Sequence, residues 1–394
     1  DHEGQLPYWP DTPSAMYWSH PWGLAASHNW MISPTFINTF RYGITRQAFS
    51  DQGDSALNDL WFRFYFQPQE NSRTLSRTTP MHNITDDISW IKGNHTFQFG
   101  TNIRIINNDR TSYANSYDDA GMNPSFYQGS GAAADSIPAC TDDSPDLSAC
   151  YAPGQRDIIR NAATALIGRY TQISSNYIFD VDGGLTPSGT PAIRGFATNE
   201  FELYFEDSWQ ATNNLTVNMG LRWGVNTPVW EKNGFQTAPT IGLGEYFDRR
   251  VAGAASGNPY TESIAVDTAG PYYGKPGFYE QDWNNFGPRI SAAYSPDFED
   301  GILNTLFGER GDSVIRGGFS MMYDRIGSAL AVSFDLKNTL GFSAAEEISA
   351  NTYNTTDNIG PLFTGWDQQI RGYLPVTENI SFPLEKPADG ARRI

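Results

Sequence analysis

The sequence predicts an all-β fold, an antiparallel transmembrane β-barrel with about eight or nine strands in this chain, on three observations. Apolar and polar residues alternate with period two over long segments, the mark of strands with two unlike faces. These segments run for about 10 to 13 residues, the length a tilted strand needs to cross hydrocarbon, whereas soluble strands average about 5 or 6. The connections alternate between very short and very long, as they do at the periplasmic and extracellular ends of outer-membrane barrels.

In chain order, the first segment is Thr35 to Arg46, where Phe36, Phe40, Tyr42 and Ile44 oppose Thr35, Thr39, Arg41 and Thr45. His95 to Ile105 sets Phe97, Phe99, Ile103 and Ile105 against Thr96, Gln98, Gly100, Asn102 and Arg104. Asn199 to Trp209 sets Phe201, Leu203, Phe205 and Trp209 against Glu200, Glu202, Tyr204, Glu206 and Ser208. In Leu215 to Val225 every odd position is apolar, while Thr216, Asn218, Gly220, Arg222 and Gly224 point the other way. Asn285 to Tyr294 (Phe286, Ile290, Tyr294 against Arg289, Ser291) and Ile315 to Arg325 (Ile315, Phe319, Met321, Tyr323 against Arg316, Ser320, Asp324) follow. Leu57 to Gln67 also alternates, but in the membrane it would upset the parity of short and long ends, so it is expected to be an extracellular extension.

Short turns are expected at Met31 to Pro34, Lys92 to Asn94 and Ala211 to Asn214, and long extracellular loops at 47–80, 112–197 and 227–282. This gives an N-terminal loop segment over 1–16, barrel strands over 17–330 and a further extracellular loop region over 331–394. Soluble domains rarely tolerate several structureless connections longer than about 15 residues. Gly129 to Ala134 and Val251 to Gly257 read as small, flexible stretches in those loops. Trp30, Phe36, Trp90, Trp209, Trp223, Trp283 and Tyr294 lie near strand ends and suit interfacial girdles, although each alone suits ordinary packing equally.

Composition narrows the classes further. The 394 residues carry 26 Lys+Arg against 44 Asp+Glu, a net charge of −18, and no basic stripe, which excludes a nucleic-acid partner. Charged residues are only 18%, against about 25% in an average soluble domain, while aromatics reach 14%. No apolar run approaches the roughly 20 residues of a membrane helix. Asp1 to Pro10 lacks the basic and apolar parts of a signal peptide, so the chain is expected to be a mature product or a fragment. Cys140 and Cys150 stand close together in a polar stretch and suit one local disulfide in an oxidising compartment, with two free thiols as the alternative.

Enzyme readings find little support. His2, His20, His28, His82 and His95 show no metal-ligand spacing, and neither a GxSxG nor a phosphate-cradling glycine motif occurs. Glu200, Glu202 and Glu206 share a polar face and more simply form a lumen-facing charge ladder with Arg104, Arg222, Arg289 and Arg316 than a glycosidase pair. Asp142, Asp143 and Asp146 read as a solvated acidic loop rather than a calcium site. No catalytic residue, cofactor or metal ligand is expected.

Several phrases converge on one family. They are Asn29-Trp30 with Ser33 to Asn38, Phe40-Arg41-Tyr42-Gly43, Trp90 to Gly100, Tyr204 to Trp209, Asn214-Leu215-Thr216 with Gly220 to Trp223, and Asn285 to Arg289. In order and number they resemble the barrel portion of TonB-dependent outer-membrane proteins of the Oar-like type, in discontinuous blocks over about residues 17 to 330. The resemblance implies a bacterial outer-membrane barrel surrounded by lipid. It also implies a plug and a TonB-binding segment, neither visible here, through which a TonB-type energy-coupling protein would act. Ligand capture would fall to the long loops, where Trp61, Tyr113, Tyr117, Tyr127, Tyr272, Tyr273 and Trp366 suit stacking on a small molecule, an oligosaccharide or a peptide. With no closing strand ending in an aromatic, the chain is expected to come from the middle of a longer barrel. Two other readings stay open: a structural or adhesion protein anchored by its barrel, and a soluble, acidic sugar-binding β-protein.

Overall fold

The computed structural model describes residues 2–4, 15–53, 56–64, 73–124, 136–141, 146, 148–298, 300–308, 311–324, 341–349, 352, 360–373 and 379–384. The strands are β1 (His2–Gly4), β2 (Met16–Ser19), β3 (Trp22–Ser33), β4 (Phe36–Gln52), β5 (Asp59–Phe62), β6 (Leu75–Lys92), β7 (His95–Ser112), β8 (Asp119–Met122) and β9 (Gln172–Ile178). They continue with β10 (Ala192–Thr212), β11 (Leu215–Asn226), β12 (Trp230–Glu231), β13 (Thr237–Pro239), β14 (Val266–Thr268), β15 (Phe286–Tyr294), β16 (Ile315–Ser320) and β17 (Ser343–Ile348). The helices are α1 (Pro153–Ile167), α2 (Leu243–Ala255) and α3 (Ile302–Phe307).

The barrel wall is one sheet with the main order β1-β2-β4-β6-β7-β10-β11-β15-β16, β3 pairing β4 and β12 pairing β10. Every pairing in it is antiparallel, so consecutive long strands run up and down as hairpin connections dictate. Three connections are tight: Pro34-Thr35, Gly93-Asn94 and Asn213-Asn214 each join two strands. Gly93 sits at φ +60°, a conformation open to glycine without steric cost. A fourth connection at this end, between β15 and β16, is longer and carries α3.

Strand lengths depart from the expected 10 to 13 residues. β3 and β11 have 12 residues each, but β4 has 17, β6 and β7 have 18, and β10 has 21. At about 3.4 Å per residue β10 spans about 70 Å, far more than hydrocarbon requires. Hydropathy alternation ends where the membrane would end, yet backbone pairing continues from Trp209↔His95 to Ala192↔Ser112. The extra length forms a wall beyond the apolar band and shortens the long connections: 47–80 contracts to 53–74, and 112–197 to 113–191. β16 ends earlier than expected, at Ser320 rather than Arg325, which lies outside the described residues. Within 1–16, expected to be a loop, His2–Gly4 pairs with Met16–Trp18 and so extends the wall.

The long connections are not structureless. β17, β9, β8 and β5 form a separate sheet in which β5 and β8 are parallel, over a core of Leu60, Ala120, Met122, Tyr170, Ile173 and Ile370. The alternating stretch near Leu57 therefore lies off the barrel, and β17 draws part of 331–394 into this sheet. Val251 to Ala255, expected to be flexible, form the last turns of α2. Cys140 and Cys150 are joined by a disulfide with Cα atoms 4.9 Å apart.

Candidate functional site

Strand register places one parity of every barrel strand on a polar face and the other on a mostly apolar face. On β10 the polar face carries Glu200, Glu202, Tyr204 and Glu206, which lie directly opposite Arg104, Asn102, Gly100 and Gln98 of β7. Arg104 Nη1 donates to Glu200 Oε2 at 2.8 Å. Asn102 Nδ2 and Arg222 Nη1 both donate to Glu202 Oε2, at 3.2 and 3.4 Å. Arg289 Nη1 lies 3.9 Å from Glu206 Oε2, and Arg41 pairs with Asp87. Tyr204 Oη donates to Asp87 Oδ1 at 2.7 Å. The result is a polar ladder across β4, β6, β7, β10, β11 and β15. Charges of both signs at this density belong on the face turned from lipid, because hydrocarbon offers them no solvation.

Two of these contacts span two strands, about 9.6 Å at about 4.8 Å per strand. Tyr204 reaches Asp87 by crossing Gly100, where an added Cβ would stand 3.0 Å from Tyr204 Cε1 and 2.8 Å from Asp87 Oδ1. Arg289 reaches Glu206 across Gly220, where an added Cβ would stand 2.9 Å from Arg289 Cγ. Each glycine is a notch through which a long side chain passes. Arg41, Asp87 and Tyr204 were not singled out as site residues from the sequence; their polar-face parity and the two in-strand glycines were the available signals. Arg316 lies on the same face opposite Ala293, is exposed, and has no carboxylate partner among the described residues.

The chain, whose sheet has this up-and-down order with one mostly apolar and one charged face, matches a family model described as an outer membrane beta barrel domain over residues 14–387. The chain belongs to the outer membrane beta barrel domain family. This barrel therefore resides in the bacterial outer membrane, and the soluble alternative is set aside. No helix among the described residues is long and apolar enough to cross a membrane; a barrel of this family crosses with its strands. No curated protein and no solved structure matches the chain.

Above the barrel, the expected ligand-stacking aromatics are mostly occupied with packing. Trp61 Nε1 donates to Asp119 Oδ2 at 3.2 Å, and the indole lies over Gly121. Tyr117 stacks under the Arg73 guanidinium, 4.5 Å from its centroid. Tyr113 is half-buried beside Thr74, its N–H on the Thr74 carbonyl. Tyr273 Oη donates to the Gly234 carbonyl at 2.8 Å and its ring meets Tyr272 edge-on. Tyr272 and Trp366 are exposed; Tyr127 lies outside the described residues. No contact among the described residues gathers these aromatics into one site.

Three loop carboxyls of this barrel are pushed up by burial. Asp119 rises to about 6 through desolvation, with Asp59 and Glu347 nearby adding repulsion against the Trp61 hydrogen bond. Asp118 rises by burial despite Arg371, and Glu231 rises by burial although it accepts the N–H groups of Gly195, Asn233 and Phe235. Glu231 thereby ties the start of the loop after β12 to β10. Asp146 accepts from the Ser148 amide and hydroxyl, which holds it below the usual range; Asp142 and Asp143 lie outside the described residues. Among the described residues no group of His, Cys, Asp and Glu has the arrangement of a metal site.

Proposed function

We propose that this outer-membrane barrel is wall and receptor surface of a TonB-dependent, Oar-like transporter, a non-enzymatic protein whose loops capture a ligand that then passes a plugged lumen. The observation that carries the reading is the open polar ladder. Its ion pairs join strands one or two apart, and the side chains of Arg222, Arg289 and Glu206 remain 44, 39 and 35% exposed. In a narrow barrel, side chains from opposite walls fill the interior. An inner face that stays wet suits a wide lumen that a plug must close. The tight-turn end is read as periplasmic and the long-connection end as extracellular. A TonB-type protein is the expected energy-coupling partner, and the ligand a small molecule, an oligosaccharide or a peptide.

Cells expressing the full-length protein should accumulate a labelled ligand drawn from those classes, and collapse of the proton-motive force should stop accumulation while leaving surface binding intact. Binding without any energised accumulation would support the alternative of a structural or adhesion protein anchored by its barrel. An epitope tag at Gly257 should be reached by antibody on intact cells, and one at Gly93 only after the outer membrane is opened. The reverse pattern would overturn the sidedness.

A further inference from the structure

We infer that the tight-turn end of the outer face holds a phospholipid of the periplasmic leaflet, one acyl chain in an aromatic groove and its anionic headgroup at Lys92. The groove, a cavity of about 470 Å3, is lined by Phe36, Trp90, Phe97, Phe99 and Phe205. Register explains its shape. Phe36, Trp90 and Phe97 form one cross-strand row on the turn side of the groove, and Phe99 and Phe205 pair one row deeper on the same face. The Trp90 and Phe97 rings stand 5.5 Å apart and Phe97 and Phe205 6.0 Å apart, so the rings wall a hollow on an outer barrel face. A hollow of this size falls in the range of ligand pockets.

The shallow end supplies the polar contacts a phospholipid needs. Lys92 Nζ sits 5.1 Å over the Trp90 ring, is exposed, and pairs in register with His95. It has no carboxylate partner among the described residues, and its stem suits snorkelling to the headgroup level. Asp207, the nearby acid on this face, is nearly buried and engaged by His95 Nδ1 at 2.8 Å. The His95 ring is in turn stacked on Phe97 and Trp209 at 5.4 and 5.7 Å. That acid is therefore spent on a protein partner, and the cation stands free in a chain whose net charge is −18. From His95 to Phe99 is four residues, about 13 Å along the strand and about 10 Å along the membrane normal at a tilt of about 40°, about a third of a hydrocarbon core about 30 Å thick. An acyl chain entering at Lys92 thus has its upper part in the groove, about 10 Å into the leaflet.

The leaflet rests on the sidedness proposed above; the site does not. The test places the full chain in phosphatidylcholine vesicles containing either brominated phosphatidylcholine or brominated phosphatidylglycerol. Bromine quenches tryptophan, and the Trp90 share is the difference between the chain and Trp90→Phe. Quenching per mole should favour phosphatidylglycerol about fivefold, the preference of one cation near the surface. Lys92→Gln should bring the ratio to one, while Lys92→Arg and, at the far end, Lys232→Gln should preserve it. A ratio of one in the unaltered chain, or a ratio unmoved by Lys92→Gln in protein that still shows the heat-shifted gel band of a folded barrel, would overturn the proposal. Reversed sidedness would expose the Gly93 tag yet leave this ratio intact.

Discussion

Leu221→Arg tests the two-faced wall most directly. Leu221 lies on the apolar face of β11 between Phe205 and Pro288, with 45% of its surface exposed. Six residues separate it from Leu215 at the turn end, about 20 Å along the strand and about 16 Å along the membrane normal at a tilt of about 40°. In an apolar band about 25 Å tall this is within about 4 Å of the middle, where an arginine costs about 2 to 4 kcal/mol. The folded-to-unfolded ratio should fall about 30- to 700-fold. Register adds a finer expectation. Met219 is directly opposite Asp207, whose carboxylate His95 already holds at 2.8 Å, so Met219→Arg gains no free partner and should cost about as much as Leu221→Arg, about 2 to 4 kcal/mol. Asn218 lies on the polar face between Ser208 and Ser291, and Asn218→Arg should change stability by less than about 0.5 kcal/mol. Urea unfolding in phosphatidylcholine vesicles, followed by tryptophan fluorescence, measures all three. A costless Leu221→Arg beside a costly Asn218→Arg would refute the assignment of faces.

Other outcomes follow from single contacts. Tyr204→Phe should cost about 1.5 to 3 kcal/mol in the same assay, the worth of a hydrogen bond to a charged acceptor. Gly100→Ala should cost at least as much, because the added methyl would also stand 2.4 Å from the Asp86 carbonyl oxygen; equal stability of Gly100→Ala and the unaltered chain would dismiss the notch. Opening Cys140–Cys150, which closes a separation of 10 residues, should cost about 2.7 kcal/mol of local order by chain entropy; two alkylated thiols found by mass without reductant would remove the premise. Asp119 sits at about 6 against an ordinary 3.8, so the folded state favours its neutral form. Its contribution is full below about pH 4 and is lost as pH rises through about 6. Hydrogen exchange of the β5 and β8 amides should therefore quicken between pH 5 and 7 beyond the intrinsic trend, and Asp119→Asn should remove that excess; an unchanged excess would assign it to another group.

Alternation along β7, β10 and β11 is legible in the sequence because its cause is local: each residue faces either lipid or water, and the chain alternates between them. The same logic placed Glu200, Glu202 and Glu206 on one parity with Arg104, Arg222 and Arg289, and located the turns at Gly93 and Asn213. β6 was not legible beyond its end at Trp90. Polar groups occupy both its faces, and those on the apolar side are satisfied only across the sheet, Asp86 by Asn38 at 2.5 Å and His82 by Tyr42 at 2.8 Å. Such pairs depend on register, which no single strand carries. The same holds for Tyr204 crossing Gly100 to Asp87, three residues from three strands whose meeting is a property of the ladder. The loop sheet is further still from the sequence, since Leu60, Met122, Tyr170 and Ile370 pack together from widely separated positions. The sequence by itself determined the two faces, the tight turns and the membrane-crossing class, because period two is imposed residue by residue. The tertiary structure alone decided which charges pair, which glycines are notches and how the long connections fold, because those depend on side chains that only strand register and nonlocal packing bring within reach.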